Sequence, residues 1–504
     1  MLKSLAWPGR RQNAPRDNRP LSGTVATPAA KAIAEAPAKG FPWIAVLPLA
    51  LIPVFGTTAG GMDRILLIME AMFLFLAVRR GVWVLGAIIV SEFTIGNYMY
   101  LFGESFSISS RLVIVMASIP IIAPHVVRRP DLGPAARGMM VMALAFVALT
   151  TLANATYADG SYVFQFLRYI VTGVTVLALM PALITSRDDL RELGMVALTV
   201  AAVSATVALM QHYHFKGAPI YQGVPHTGAI GSFQAWEGRS LGLSESPVYL
   251  SNVLIVMLFL TMGVLISANM TTKSRRVLGV VLVLFALGLY LTYTRSWSYS
   301  AALALIPIAL LYRGRYRREF WVLAIMAVAA FLYYSDYQGS RYTLGPGSEE
   351  SAAARPVLWS AGLNIAMDHP FLGVGHNSFL ELSPEYASSS PAPTGTEEVS
   401  VLGVYTPHND FLNIWLSFGA AALFFYLAIV VLSVKNFVEA FFRASDSFLK
   451  GVALGGMGAM IAFETNSFFH NFFDSTLTLW LLAGLSLAVV KLVNLQKKRE
   501  GPQW

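Results

Sequence analysis

The sequence predicts an all-α polytopic membrane protein with about fourteen transmembrane helices. Of its 504 residues, 56% are hydrophobic and only 13% are charged, about half the charged share of an average soluble chain. The apolar residues fall in blocks of roughly 20, the length at which a helix crosses about 30 Å of hydrocarbon. A soluble core could hide one such block but not a dozen, and barrel strands would give shorter, alternating signals. Lysine and arginine recur in every second loop, as the positive-inside rule requires of a polytopic chain.

The elements follow in order. Residues 1–41 are rich in Ala, Pro and Arg, with Arg10, Arg11, Arg16 and Arg19 and no apolar run. A secretory signal needs such a run, so this reads as a disordered, basic cytoplasmic tail suited to anionic lipid. Residues 42–335 hold the first eleven spans, at about 43–56, 62–78, 82–102, 109–127, 138–153, 164–184, 191–212, 246–267, 276–293, 296–312 and 319–335. The first contains Pro48 and Pro53. A long outer loop, 213–245, interrupts them, and a larger one covers 336–408. Three spans, at about 409–434, 448–469 and 474–493, fill 409–494, and 495–504 form a second cytoplasmic tail. Within the larger loop, Leu358, Ala361, Gly362 and Ile365 make one apolar face over 353–367, with Pro356 suited to a first turn. Residues 383–400, rich in Ser, Pro, Glu and Thr, are expected to be mobile.

With the N-terminus inside, cytoplasmic segments hold 28 of the 36 basic residues. The other eight are Arg64, Arg111, Arg168, Lys216, Arg239, Arg295, Arg341 and Arg355, all at or beyond the outer ends of spans. Topology disfavours cations there, so another interaction must favour them. An anionic ligand would, because guanidinium groups grip phosphate oxygens through paired donors. A bacterial membrane offers a polyprenyl diphosphate carrying a sugar chain. Its tail needs an apolar groove and its diphosphate needs outer-face cations. The alternative for each arginine is a lipid phosphate or a carboxylate such as Glu237 or Glu349.

His408, in Thr406-Pro407-His408-Asn409-Asp410, is the candidate general base. An imidazole titrating near pH 6.5 can take a hydroxyl proton, with Asn409 or Asp410 to orient it. The alternative is a histidine that caps a helix. His376-Asn377 and His470-Asn471 repeat the dipeptide on the outer side, as rivals or helpers. The absence of cysteine excludes disulfides, thiolate metal sites and cysteine nucleophiles. No metal-ligating His/Glu pattern, Asp-x-Asp motif or P-loop occurs. The net charge of +8 is spent on membrane topology, not on nucleic acid.

These residues give the chain its family resemblance. Thr294-Arg295-Ser296-Trp297, then Arg355-Pro356-Val357-Leu358-Trp359 leading through Asp368-His369-Pro370-Phe371-Leu372-Gly373-Val374-Gly375 to Asn377 and Phe379, and His408-Asn409 followed by Leu412 and Gly419 resemble the O-antigen ligase and O-antigen polymerase superfamily of bacterial inner-membrane glycosyltransferases. The resemblance covers about 210–435. It implies a GT-C-like helical fold with a large periplasmic loop containing a short helix. It implies metal-independent, inverting transfer of a glycan from undecaprenyl diphosphate to an acceptor hydroxyl, with no cofactor. His408 would activate the acceptor, and Arg239, Arg295 and Arg355 would bind the diphosphate, supported by Asn409, His376, Arg341 and Lys216. The implied partners are the lipid-linked donor, a glycan or lipid A core acceptor, membrane lipids and a chain-length regulator. Fourteen spans and a long outer loop favour a polymerase, with ligase as the alternative. A lipid-linked oligosaccharide flippase is the alternative of another class, with Glu70, Glu92 and Glu464 as its intramembrane carboxylates.

Overall fold

The computed structural model describes residues 43–51, 61–94, 113–120, 133–157, 160–213, 239–312, 348–387, 406–473 and 475–500, with isolated positions between 318 and 329. The expected tail at 1–41, Lys216, Arg341, most of the span at 319–335 and most of the 213–245 loop lie outside them. Every regular element among the described residues is helical. Six described helices are long and apolar enough to cross a membrane. The described residues thus support a helical membrane bundle, without extending to the count of about fourteen.

The first expected span is not one continuous helix. Helix α1 (Trp43–Val46) gives way to a 3-10 turn at Leu47–Leu51, where Pro48 removes a backbone donor. Next come α2 (Gly61–Ala77), α3 (Trp83–Glu92), α4 (Gly133–Tyr157), α5 (Gly160–Leu183) and α6 (Arg187–His212). They are followed by α7 (Pro247–Ser267), α8 (Thr272–Leu291) and α9 (Ser296–Leu311). The large loop folds into α10 (Ser348–Asp368) and α11 (Ser378–Ala387), and the chain ends with α12 (Asp410–Arg443), α13 (Ser447–Ser467) and α14 (Thr478–Glu500). Two loop expectations are corrected. Pro356 sits inside α10 rather than in its first turn. The stretch expected to be mobile from 383 is helical as far as Ala387, and 388–405 lie outside the described residues.

The centre of the bundle is α7 against α13, with α9 and α12 also on α13 and α14 wedged between α5 and α12. Gly451 and Gly455, one turn apart on α13, face Gly263 on α7 so closely that a Cβ at any of the three would meet the opposing backbone. Small residues at this spacing let membrane helices approach and gain van der Waals contact where no hydrophobic effect drives them together. The outermost helix is α8, with Val277, Val280, Val283 and Leu287 exposed at helical spacing, a face suited to lipid tails.

The loops sort to two ends. At one, Arg80 pairs with Asp189 and Glu192 at 2.7 and 2.8 Å, and Arg187 with Asp446 at 3.2 Å. There too, Ser447 Oγ accepts from Asn269 N–H, and Ser445 Oγ donates to Glu500. These are loops that the basic-residue alternation puts on one side. At the other end, Glu92 accepts from Leu477 N–H and the Thr478 hydroxyl at 2.9 and 2.7 Å, capping α14. Every sequence-predicted site residue among the described residues lies at this second end.

Helix α12 breaks there. Gly419 has φ 83° and ψ 170°, a conformation essentially restricted to glycine. The break frees carbonyls that the chain between α10 and α11 takes up. Val374 and Gly375 N–H donate to Leu416 O and Ser417 O at 2.9 and 2.8 Å, and Ala420 N–H donates to Pro370 O at 2.8 Å. A Cβ on Gly419 would collide with the Phe371 carbonyl, and one on Gly373 (φ 66°) with Ser417. The expected apolar face of α10 packs here. Leu358, Ala361 and Ile365 are buried with Val374, Phe379 and Leu416, and Gly362 lies against Leu412 and Leu416.

Candidate active site

Four elements carry the site. The first is the chain before α7. The Ser240 hydroxyl donates to Ala208 O, and its N–H donates to Leu291 O at the end of α8 at 3.0 Å. Leu241 and Gly242 N–H both donate to Gln211 Oε1, at 3.0 and 2.8 Å. So anchored, Arg239 reaches across to the next turn, donating from Nε to Thr292 O (2.9 Å) and from Nη2 to Thr294 Oγ1 (3.1 Å). That turn, between α8 and α9, is the second element. It reverses the chain through Tyr293 at φ 50° and sets Arg295 at the N-cap of α9.

The third element is α10. Arg355, Trp359 and Leu363 recur every four residues and so form one stripe. The Trp359 indole N–H donates to Pro407 O at 2.8 Å and holds α10 to the chain before α12. The Arg355 guanidinium lies 5.9 Å from the Phe469 ring centroid, and its Nε is buried with no hydrogen-bond partner among the described residues. Neither Arg295 nor Arg355 forms an ion pair with a carboxylate among the described residues.

The fourth element is the start of α12. His408 has φ 49°, a left-handed conformation costing a non-glycine residue about 1–3 kcal/mol. The next residues hold it there. Asn409 caps α12 by accepting Leu412 N–H at 3.0 Å and donates its own N–H to Asn471 Oδ1 at 2.9 Å. Buried Asp410 accepts Phe472 and Phe473 N–H at 2.9 to 3.2 Å.

Electrostatics join these elements. Burial pushes His408 down to about 4, and the charge of Arg355 pushes the same way. Burial also pushes His470 well down, helped by Arg355, His408 and Arg239. Arg355 itself is lowered by burial and then by Arg295, while Tyr299 raises it. Arg239, Arg295, Arg355, His408 and His470 therefore form one cluster of mutually felt charges, with both imidazoles neutral at pH 7. Such a cluster can bind a dianion and offer a neutral nitrogen to a proton. Beside it runs an apolar groove of about 260 Å³ lined by Trp359, Leu363, Asn409, Phe411, Leu412 and Trp415. The stripe on α10 thus leads from a guanidinium into an apolar trough.

The structure brings together His408, Arg239, Arg295, Arg355 and Asn409. His376 belongs to the clip instead: its N–H donates to Asn154 Oδ1 at 2.7 Å and its ring stacks 6.4 Å from Phe418. The sequence reading gave no roles to Ser296, Asn466 and Phe469, and left His470 as one of two spare histidines. The repeated His-Asn dipeptide was the available signal, since 408–409 and 470–471 are joined by the Asn409–Asn471 hydrogen bond.

No curated protein matches the chain. Residues 280–427 match a protein-family model described as O-antigen ligase. The matched stretch contains the Arg295 turn, α10 with Arg355, the Gly373–Gly419 clip and His408; Arg239 and the 466–473 segment fall outside it. Over residues 280–427 the match supports the resemblance to the O-antigen ligase and polymerase superfamily, and with it a membrane enzyme of the O-antigen ligase type acting in general on a lipid-linked glycan and an acceptor.

Proposed function

We propose that the protein is a bacterial inner-membrane glycosyltransferase. It transfers a glycan from undecaprenyl diphosphate to an acceptor hydroxyl on the periplasmic side, most simply as a polysaccharide polymerase. The observation that carries this reading is a charge cluster beside an apolar groove, in which Arg355 acts on His408, Arg239 and Arg355 act on His470, and Arg295 acts on Arg355. The groove suits the head of an isoprenoid chain. Arg355, half-buried with its Nε unused among the described residues, suits a phosphate oxygen.

In the step so read, His408 takes the proton of the acceptor hydroxyl while its oxygen bonds to the anomeric carbon. The bond from that carbon to the diphosphate oxygen breaks, with inversion. The electron pair leaves on undecaprenyl diphosphate, whose growing charge Arg239, Arg295 and Arg355 meet with preorganised donors. The described contacts of two candidate transport carboxylates favour transfer over flipping. Glu92 caps α14 and Glu464 accepts from the Tyr426 hydroxyl.

Product analysis tests the reading. Purified protein given lipid-linked oligosaccharide should yield a ladder of lengthened lipid-linked glycans. Transfer in one step onto lipid A core would make it a ligase. Movement of the lipid across vesicles without a new glycosidic bond would sink the enzymatic reading.

A further inference from the structure

The segment from Asn466 to Phe473, between α13 and α14, lies beyond the matched residues yet touches α9, α10 and the start of α12. Phe469 lies beneath Arg355 and stacks on Tyr299 at 5.4 Å. Asn471 accepts from Asn409, and Phe472 and Phe473 donate to Asp410. At its centre, His470 Nε2 is 2.9 Å from Ser296 Oγ, and Ser296 is also hydrogen-bonded to the Asn466 side chain. Ser296 is the first residue of α9, directly after Arg295. Asn466 is fully buried, and its amide nitrogen has no partner among the described residues. The amide is thus held at the cost of an unsatisfied NH2 group. Three side chains from α9, α13 and the following turn are tied in a row next to Arg295.

We propose that His470 is a positioning residue for glycan transfer: through Ser296 it holds the N-terminus of α9, and with it Arg295, in register with Arg355 and His408. The proposal rests on the transfer reading above. The imidazole Nε2 is already engaged by the Ser296 hydroxyl, so it acts by geometry. A misplacement of about 1 Å in such a device costs on the order of a hundredfold in rate.

The test uses the full-length protein in detergent or nanodiscs and reads two quantities: binding of undecaprenyl diphosphate and transfer kinetics. His470→Ala should weaken binding and lower kcat/KM for the lipid donor, each about 10- to 100-fold, with the acceptor KM within about twofold. His470→Gln, whose amide can occupy the Nε2 position, should recover both to within about fivefold of the parent. Ser296→Ala should match His470→Ala, and the double variant should be no worse than either single one, because both break the same link. Wild-type-like binding by His470→Ala would overturn the proposal, as would losses that multiply in the double variant. A His470→Gln protein as weak as His470→Ala would also overturn it. The binding arm judges His470 even if the parent protein forms no glycosidic bond, a result that would sink the transfer reading alone.

Discussion

At His408 two costs coincide, a left-handed backbone and an imidazole kept neutral by burial and a neighbouring guanidinium. Both are expected where a group is held for chemistry. The pH dependence follows from the sign of the shift. A histidine depressed to about 4 is base-competent above that pH and loses competence as pH falls through it. In the free enzyme, kcat/KM should therefore hold level through pH 6.5 and fall only near pH 4. Bound diphosphate offsets the guanidinium charges, so the acid limb of kcat should lie at higher pH than that of kcat/KM. Arg355→Ala should move the kcat/KM limb upward by removing one cause of the depression. A free-enzyme limb near 6.5 in the parent would contradict the depression of His408 by burial and Arg355. Arg295→Ala and Arg355→Ala should each slow transfer by about 10²–10³. Lysine at either position should restore little, because paired donors are lost.

The element that organises the site is the broken helix α12. Asp410 opens it and His408 directly precedes its cap, and Gly419 breaks the helix while the 370–375 segment binds the freed carbonyls. Gly419→Ala should lower stability by about 1–3 kcal/mol from backbone strain, with a similar amount from the clash at Phe371. Its thermal midpoint should drop well below that of Gly279→Ala, where a Cβ meets open space. Equal midpoints would mean that the clip is not made. Much of this was legible in the sequence. The apolar runs located most described helices, and the motifs flagged Arg295, Arg355 and His408. Hydropathy could not reveal the break, since Gly419 sits among apolar residues that read as one span. It could not reveal the Gly263–Gly451–Gly455 contact either, because helical periodicity alone does not name the partner helix. The contribution of 466–473 was signalled only by the repeated His-Asn dipeptide, because its hydrogen bonds to Asp410 run through the backbone N–H groups of Phe472 and Phe473, which carry no sequence signature.

Across the whole molecule, loops sort to two ends, and the site occupies the end opposite the Arg80, Arg187 and Asp446 ion pairs. If the basic end is cytoplasmic, an impermeant thiol reagent applied to intact spheroplasts should label Glu385→Cys and spare Lys273→Cys. The chain's lack of native cysteine makes that assay clean. Reversed labelling would put the site on the wrong side for a periplasmic transfer. The most direct test of the site itself is glycan transfer by purified His408→Ala beside the parent protein, with undecaprenyl diphosphate binding measured on the same samples. Losing a general base should slow transfer by about 10²–10⁴ while binding stays within a few-fold of the parent. Transfer at the parental rate by that variant would show that the imidazole at the mouth of the groove is not the base.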